Sequence, residues 1–126
     1  MVMVQVSTRC LPTEDRDSVV RAILNLFPDC LITGDDSLEG RASSLEAFGD
    51  LLKKQRIRDA ARAVMRRGLS GDSTTFRLNK QVAWAGKVSF SQESHPLGDI
   101  EVTISDPDIQ SIIDSIAPDT RREGGS

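Results

Sequence analysis

The residues of this chain that could do chemistry are mainly cationic, and they are concentrated in one stretch of the 126 residues. Positions 51–90 contain ten Lys and Arg side chains against two Asp, a net charge of +8, so the remaining positions carry −11 of the overall −3. Clustered cations neutralise phosphates and release their condensed counterions. One basic band in an otherwise acidic protein therefore predicts that the protein binds a polyanion through one face.

Four cations within the band recur at every fourth position: Lys54, Arg58, Arg62 and Arg66. On a helix this spacing lines the side chains along one exposed side, a ridge about 18 Å long at 1.5 Å per residue. Such a ridge could contact successive phosphates of a structured RNA. A solvated helix face explains the same spacing, and both interpretations stay open at this point.

A second polar group follows in the chain, where Asn79, Lys80 and Gln81 are predicted to form an exposed turn between two strands. An ammonium between two amides suits contacts to phosphates and to base edges or 2′-hydroxyls. Turn formation and hairpin register also explain these residues, and they are the favoured explanation. Arg77 and Lys87, on the flanking strands, would complete the basic face.

The sequence has few residues that could form a metal site or a catalytic site. Cys10 and Cys30 are too few for a four-ligand zinc site unless His95 and a carboxylate join them, so free thiols are predicted. His95 is the only histidine, and a nucleophile–histidine–carboxylate set would have to gather around its loop. The acidic residues near position 35 lack the spacing of a calcium loop. We predict no catalytic residue, no metal site and no cofactor.

The aromatic residues also limit the kind of RNA that could be bound. Phe76 and Trp84 share the parity of the apolar positions of two predicted strands, so both are predicted to lie in the core. With 4% aromatic residues and no tyrosine, the chain has few side chains on which single-stranded bases could stack. Structured or duplex RNA recognised by shape fits better.

Hydrophobic periodicity defines the elements that must position these residues. Apolar alternation predicts an initial strand at positions 2–6, a helix follows between Thr13 and Pro28, and a short hairpin turns at Gly34, with Gly40 as a bulge. A helical stretch then extends from Ser43 to Arg67. Its apolar stripe changes sides near position 55, so either two helices meet there or one helix buries two different faces.

Three consecutive strands are predicted next, at 74–78, 82–90 and 100–104, paired as a meander, before a last helix that Pro118 ends. The predicted fold is α+β: a two-layer, mixed or antiparallel sheet with helices on one face, in the order β-α-β-α-β-β-β-α. Residues 1–118 would form a single α+β domain and 119–126 a polar, flexible tail. The uncovered sheet face would carry Gln5, Arg77, Ala83, Ala85, Lys87 and Glu101.

Length and hydropathy place broad limits on location. The chain is 38% hydrophobic, which is enough for one core, and no apolar run approaches the roughly 20 residues needed to cross a bilayer. The amino terminus lacks the order of a signal peptide. A cytoplasmic protein is expected.

Several short motifs, spread over almost the whole chain up to Pro118, resemble a known family. They are Pro12, Thr13, Glu14 and Asp15; Leu45 and Phe48; Gln55 and Arg56; Arg67 and Gly68; Leu78, Asn79, Lys80, Gln81 and Ala83; Gly86 and Lys87; and Pro96, Leu97, Gly98, Asp99 and Ile100. The chain resembles a conserved, uncharacterised archaeal family described as predicted RNA-binding, with a fold similar to the ribosomal protein that binds the 5S RNA. The resemblance implies an α+β sheet with helices on one side and an RNA role, and it implies no reaction, cofactor or catalytic residue.

Two functions from different classes follow. The first is a non-catalytic protein that binds the phosphate backbone of structured RNA through the helical ridge with Arg77, Lys80 and Lys87. The second is a protein-interaction or assembly module, in which the switched apolar stripe and the face with Ala83 and Ala85 pack against a second copy, as a homodimer, or against another partner.

Overall fold

The computed structural model describes residues 2–91 and 99–118, and these residues form six strands and five helices. The strands are β1 (Met3–Arg9), β2 (Leu31–Thr33), β3 (Ser37–Ala42), β4 (Leu69–Ser70), β5 (Ser73–Leu78) and β6 (Ile100–Ser105). The helices are α1 (Arg16–Leu26), α2 (Glu46–Lys54), α3 (Arg58–Arg67), α4 (Lys80–Trp84) and α5 (Ile109–Ile116). The α+β class is confirmed, with more elements than the sequence predicted.

All six strands belong to one antiparallel sheet in the order β2-β3-β1-β6-β5-β4. The first strand lies near the centre because it pairs with β3 on one side and β6 on the other. β5 pairs directly with β6, so the predicted three-strand meander is wrong. Burial alternates along β1, β3 and β5, which leaves one sheet face exposed and the other against the helices.

The hairpin of β2 and β3 is confirmed, and its turn depends on Gly34. This glycine has φ +104°, a conformation that residues with a Cβ rarely adopt. Gly40 does not form the predicted bulge, because it pairs in register with both Val6 and Ile32. Its lack of a side chain has a different reason: a Cβ there would lie 2.4 Å from Cys30 Sγ.

Two helices meet where the apolar stripe changes sides, which is the first of the two predicted alternatives. α2 ends at Lys54 and α3 begins at Arg58. Between them Arg56 has φ +58°, the one positive φ outside glycine in the described part of the chain. The chain therefore turns sharply, and Leu52 and Met65 are both fully buried although their helices are separately oriented.

The largest error of the sequence prediction concerns residues 79–90, where a helix replaces the expected strand. The Asn79 side chain accepts a hydrogen bond of 3.0 Å from Val82 N–H and caps α4. Gly86, with φ +81°, ends α4 in a Schellman motif. Its N–H donates to Ala83 C=O, and the N–H of Lys87 donates to Val82 C=O. Trp84 is consequently 54% exposed and not a core residue.

The sheet and the helices enclose one hydrophobic core. Four phenylalanines pass through it in contact, with ring centroids 5.4 to 5.8 Å apart: Phe27, Phe48, Phe76 and Phe90. They join α1, α2 and β5 to the segment after α4. The domain limits at 1–118 stay a prediction, and the predicted tail at 119–126 lies outside the described residues.

Candidate nucleic-acid interface

The junction of α2 and α3 is bound to the segment after α4 by one side chain. Gln55 donates to Val88 C=O at 2.9 Å, and Gln55 Oε1 accepts from Val88 N–H at 2.7 Å. The Gln55 amide thus satisfies both the N–H and the C=O of Val88, which fixes the position of the two segments relative to each other. Lys54 and Arg56 flank Gln55, and Lys87 precedes Val88, so this Gln55 clamp brings the backbones of three residues with exposed cationic side chains to one corner of the molecule.

We call this set the cationic corner: Lys54, Arg56 and Lys87. Arg58, half-buried at the start of α3, follows directly along the chain. Within residues 2–91 and 99–118, none of these four side chains has a carboxylate within 4.0 Å. None of the four is therefore in an ion pair with that part of the protein.

The predicted ridge is divided between two helices and is interrupted in its middle. Lys54 belongs to α2, whereas Arg58, Arg62 and Arg66 lie on α3. Arg62 donates through Nη1 to Asp114 Oδ1 at 2.5 Å and to Ala117 C=O at 3.2 Å, which ties α3 to α5. Its side chain is only 22% exposed, so Arg62 is a structural contact and not an available cation. Arg66 is exposed near the far end of α3.

Arg77 does not share a face with these residues. In β5 the buried residues alternate with exposed ones, and Arg77 belongs to the exposed set on the uncovered sheet face. Its Nε lies 3.7 Å from Glu101 Oε2, on the neighbouring strand. The prediction that Arg77 extends the helical ridge is wrong, because the sheet separates the two surfaces.

Lys80 is not in an exposed turn, contrary to the sequence prediction. Its ammonium donates to Arg9 C=O at 2.6 Å and to both carboxylate oxygens of Glu14, at 3.0 and 3.3 Å. The Lys80 side chain is 8% exposed. Asn79 is used as the helix cap, and only Gln81 of this trio is exposed. Lys80 therefore joins α4 to the end of β1 and the start of α1, and offers no charge to a polyanion.

Trp84 and Arg56 are the site residues that the sequence interpretation missed. The alternation of residues 82–90 predicts a strand with Trp84 in the core, although Asn79 and Gly86 are typical start and stop signals of a short helix. Arg56 was counted in the basic band but not selected, since it falls outside the four-residue spacing. No local signal marks its positive φ.

The described residues do not gather three metal-ligating side chains at any point. In the acidic turn, Asp35 instead lies 3.7 Å from Arg16 Nε, which also donates to Gly34 C=O at 2.9 Å. Cys10 and Cys30 are free thiols. Burial, together with the Asp29 carboxylate, raises the pKa of the Cys30 thiol from 9.0 to about 11, so this group is protonated and unreactive at neutral pH. His95 lies outside the described residues.

None of the helices in the described ranges is both long and apolar enough to cross a membrane.

Comparison with known proteins agrees with the fold. Residues 3–105 match a family model described as RNA binding, which covers most of the chain and defines the class of α+β protein to which it belongs. The relatives are archaeal: a UPF0200/UPF0201 protein of Archaeoglobus fulgidus is 39% identical over 124 residues. That match covers 95% of this chain and 38% of the relative, so this chain spans well under half the length of that protein.

Solved structures lead to the same family. A crystal structure of an uncharacterized UPF0201 protein has a TM-score of 0.87 and 38% identity, covering 93% of this chain and 94% of that one. The 2.2 Å crystal structure of the UPF0201 protein from Methanococcus jannaschii has a TM-score of 0.85 and 40% identity, covering 93% of each chain. The chain belongs to the UPF0201 family. Its likeness to the 5S-RNA-binding ribosomal protein stays a prediction from the sequence resemblance.

Proposed function

We propose that this protein is a non-catalytic RNA-binding protein that contacts the phosphate backbone of structured RNA through the cationic corner and the exposed end of α3. The observation that carries the proposal is the Gln55 clamp, which joins two segments distant in the chain and so brings the backbones of Lys54, Arg56 and Lys87 close together. The family description as RNA binding supports the same class of ligand. Arg58 and Arg66 extend the contact along α3.

Structured RNA is favoured over a flexible single strand for two reasons. The cations lie at or next to helix ends whose backbones the Gln55 clamp holds together, and such an arrangement matches phosphates whose spacing is fixed by a duplex. Only one aromatic side chain, Trp84, is largely exposed among the described residues, so successive bases have no stacking platform. The five proposed contacts therefore lie on the sugar-phosphate backbone.

Charge reversal with a matched control tests the proposal. The triple variant Lys54→Glu, Arg56→Glu, Lys87→Glu should lose retention of a labelled, fully paired RNA stem. A control variant reverses three arginines of the uncovered sheet face, Arg9, Arg41 and Arg77, and has the same net charge. Equal loss in both variants would mean that RNA responds to total charge only, and retention by the first variant would contradict the proposed surface.

A second function, assembly with another copy of the chain, is favoured by a different observation. The uncovered sheet face exposes two large apolar side chains, Leu31 at 78% and Met3 at 46%. The surfaces named from the sequence do not support it, because the stripe change reflects two helices and Ala83 is buried within α4. Leu31→Glu with Met3→Glu should convert a dimer to a monomer in sedimentation equilibrium. A wild-type protein that is monomeric at high concentration excludes a homodimer.

A further inference from the structure

Trp84 forms one wall of a solvent-open concavity between α1 and α4. Its volume is about 210 Å³, and its floor includes Val19 and Ala22, both buried on α1. A tryptophan that is 54% exposed leaves a large apolar surface in water. An exposed aromatic side chain beside a concavity with an apolar floor is the usual starting point for a binding site.

The concavity is held in shape by contacts that do not involve a ligand. Asn25 donates to the carbonyl groups of Ala83 and Trp84, at 3.0 and 3.1 Å, and fixes the end of α4 against α1. The buried ion pair of Lys80 and Glu14 lines the other side. The indole is therefore presented by a rigid frame, which lowers the entropic cost of binding.

Size and charge define what would fit. The volume is below the roughly 300–1,000 Å³ of pockets for drug-sized ligands, so one small planar group is the appropriate occupant. A phosphate is disfavoured, because Lys80 is neutralised by Glu14 and the Asp15 carboxylate lies at the rim. The same rim includes the Ser18 hydroxyl and the Gln81 amide, groups that can bond the polar edge of a base.

The surroundings of the concavity favour a nucleobase over a cationic side chain of a protein, although both can stack on tryptophan. Val88, which Gln55 holds beside the cationic corner, is four residues after Trp84. The concavity is thus close to cations that attract RNA phosphates and repel arginine or lysine, which the Asp15 carboxylate at the rim by itself would attract.

We propose that the Trp84 concavity binds one unpaired nucleobase that projects from a structured RNA, while the cationic corner contacts the adjoining backbone. This inference rests on the proposed RNA-binding function and specifies its ligand: a stem with a bulged or flipped-out nucleotide. The base stacks on the indole, and its edge faces Asp15, Ser18 and Gln81.

The chain provides its own probe, because Trp84 is the only tryptophan and no tyrosine is present. The wild-type protein is titrated with two RNA stems of equal length, one fully paired and one with a single bulged nucleotide, and indole fluorescence is followed. Labelled forms of both stems then give affinities for the wild type, Trp84→Leu and Trp84→Phe. The expected result is quenching by the bulged stem only.

The variants should separate stacking from charge. Trp84→Leu should reduce affinity for the bulged stem by roughly 5- to 150-fold, the range that base–aromatic stacking provides, and leave the paired stem unchanged. Trp84→Phe should keep most of the preference. Equal binding of both stems without quenching overturns the inference and leaves the proposed function standing. Failure to bind either stem overturns both, and quenching by an arginine-rich peptide but not by RNA identifies a protein ligand instead.

Discussion

At the scale of single residues, Lys80 illustrates how burial changes the role of a charge. Its ammonium contacts Arg9 C=O and both oxygens of the Glu14 carboxylate, and Glu14 Oε1 also accepts from Leu11 N–H at 3.0 Å. Glu14 is 26% exposed and keeps Leu11 N–H as a donor, so removing Lys80 should cost less than the roughly 3–5 kcal/mol that breaking a fully buried ion pair costs.

Lys80→Met should therefore lower the free energy of unfolding by about 2 kcal/mol, measured by urea denaturation. Lys54→Met, at the exposed end of α2, is the matched control and should change it by less than about 0.5 kcal/mol. Similar effects in both variants would mean that the Lys80–Glu14 pair contributes no more than a surface lysine does.

Cys30 supplies a pH dependence whose sign follows from its burial. Its pKa is raised from 9.0 to about 11 in the folded protein, so the folded state holds the thiol proton more tightly than the unfolded state does. The resulting stabilisation is complete below pH 9 and is lost as the pH rises to about 11.

As the pH rises between these two values, the unfolding free energy of both proteins should change. That of the wild type should fall by on the order of 2 kcal/mol more than that of Cys30→Ala. Thermal or urea unfolding at several pH values measures the difference, and groups common to both proteins cancel. Parallel pH profiles for the two proteins would show that Cys30 titrates normally when folded.

At the scale of elements, the junction of α2 and α3 combines strain with function. Arg56 adopts φ +58°, and the left-handed conformation costs a residue with a Cβ roughly 1–2 kcal/mol. The residue also belongs to the cationic corner. A residue that favoured stability alone at this position would be glycine.

Arg56→Gly should thus raise the unfolding free energy by roughly 1 kcal/mol or less while weakening binding to an RNA stem. Arg56→Ala should weaken RNA binding equally without the gain in stability. Urea denaturation and RNA titration on the same preparations test both statements. If glycine lowers stability, the positive φ is not a source of strain.

The elements that the sequence predicted correctly are those whose signals are local. The β2–β3 hairpin follows from Gly34 and its acidic turn, and the change of helix near Gln55 follows from the apolar stripe. The segment after Asn79 carries conflicting signals, a period-two pattern and helix caps. Contacts from Asn25 and Gln55, each distant in the chain, accompany the helix and could not be derived from the segment itself.

At the scale of the whole molecule, the positive charges do not form the single continuous face that their density predicted. Arg62, Arg77 and Lys80 each have an acidic partner on another element: Asp114, Glu101 and Glu14. Which carboxylate meets which cation depends on the strand order and on helix packing, neither of which local spacing encodes. The basic surface that remains without these three cations is smaller and lies around the contact between Gln55 and Val88.

The salt dependence of RNA binding tests the central claim most directly, because it counts the phosphates that the protein neutralises. Contacts from Lys54, Arg56, Arg58, Arg66 and Lys87 predict a slope of log K against log salt near −4.5 for a paired stem, at about 0.9 per phosphate. Neutralising the cationic corner with Lys54→Met, Arg56→Met and Lys87→Met should bring the slope to about −1.8. An affinity that ignores salt, or an unchanged slope in the triple variant, would contradict the account.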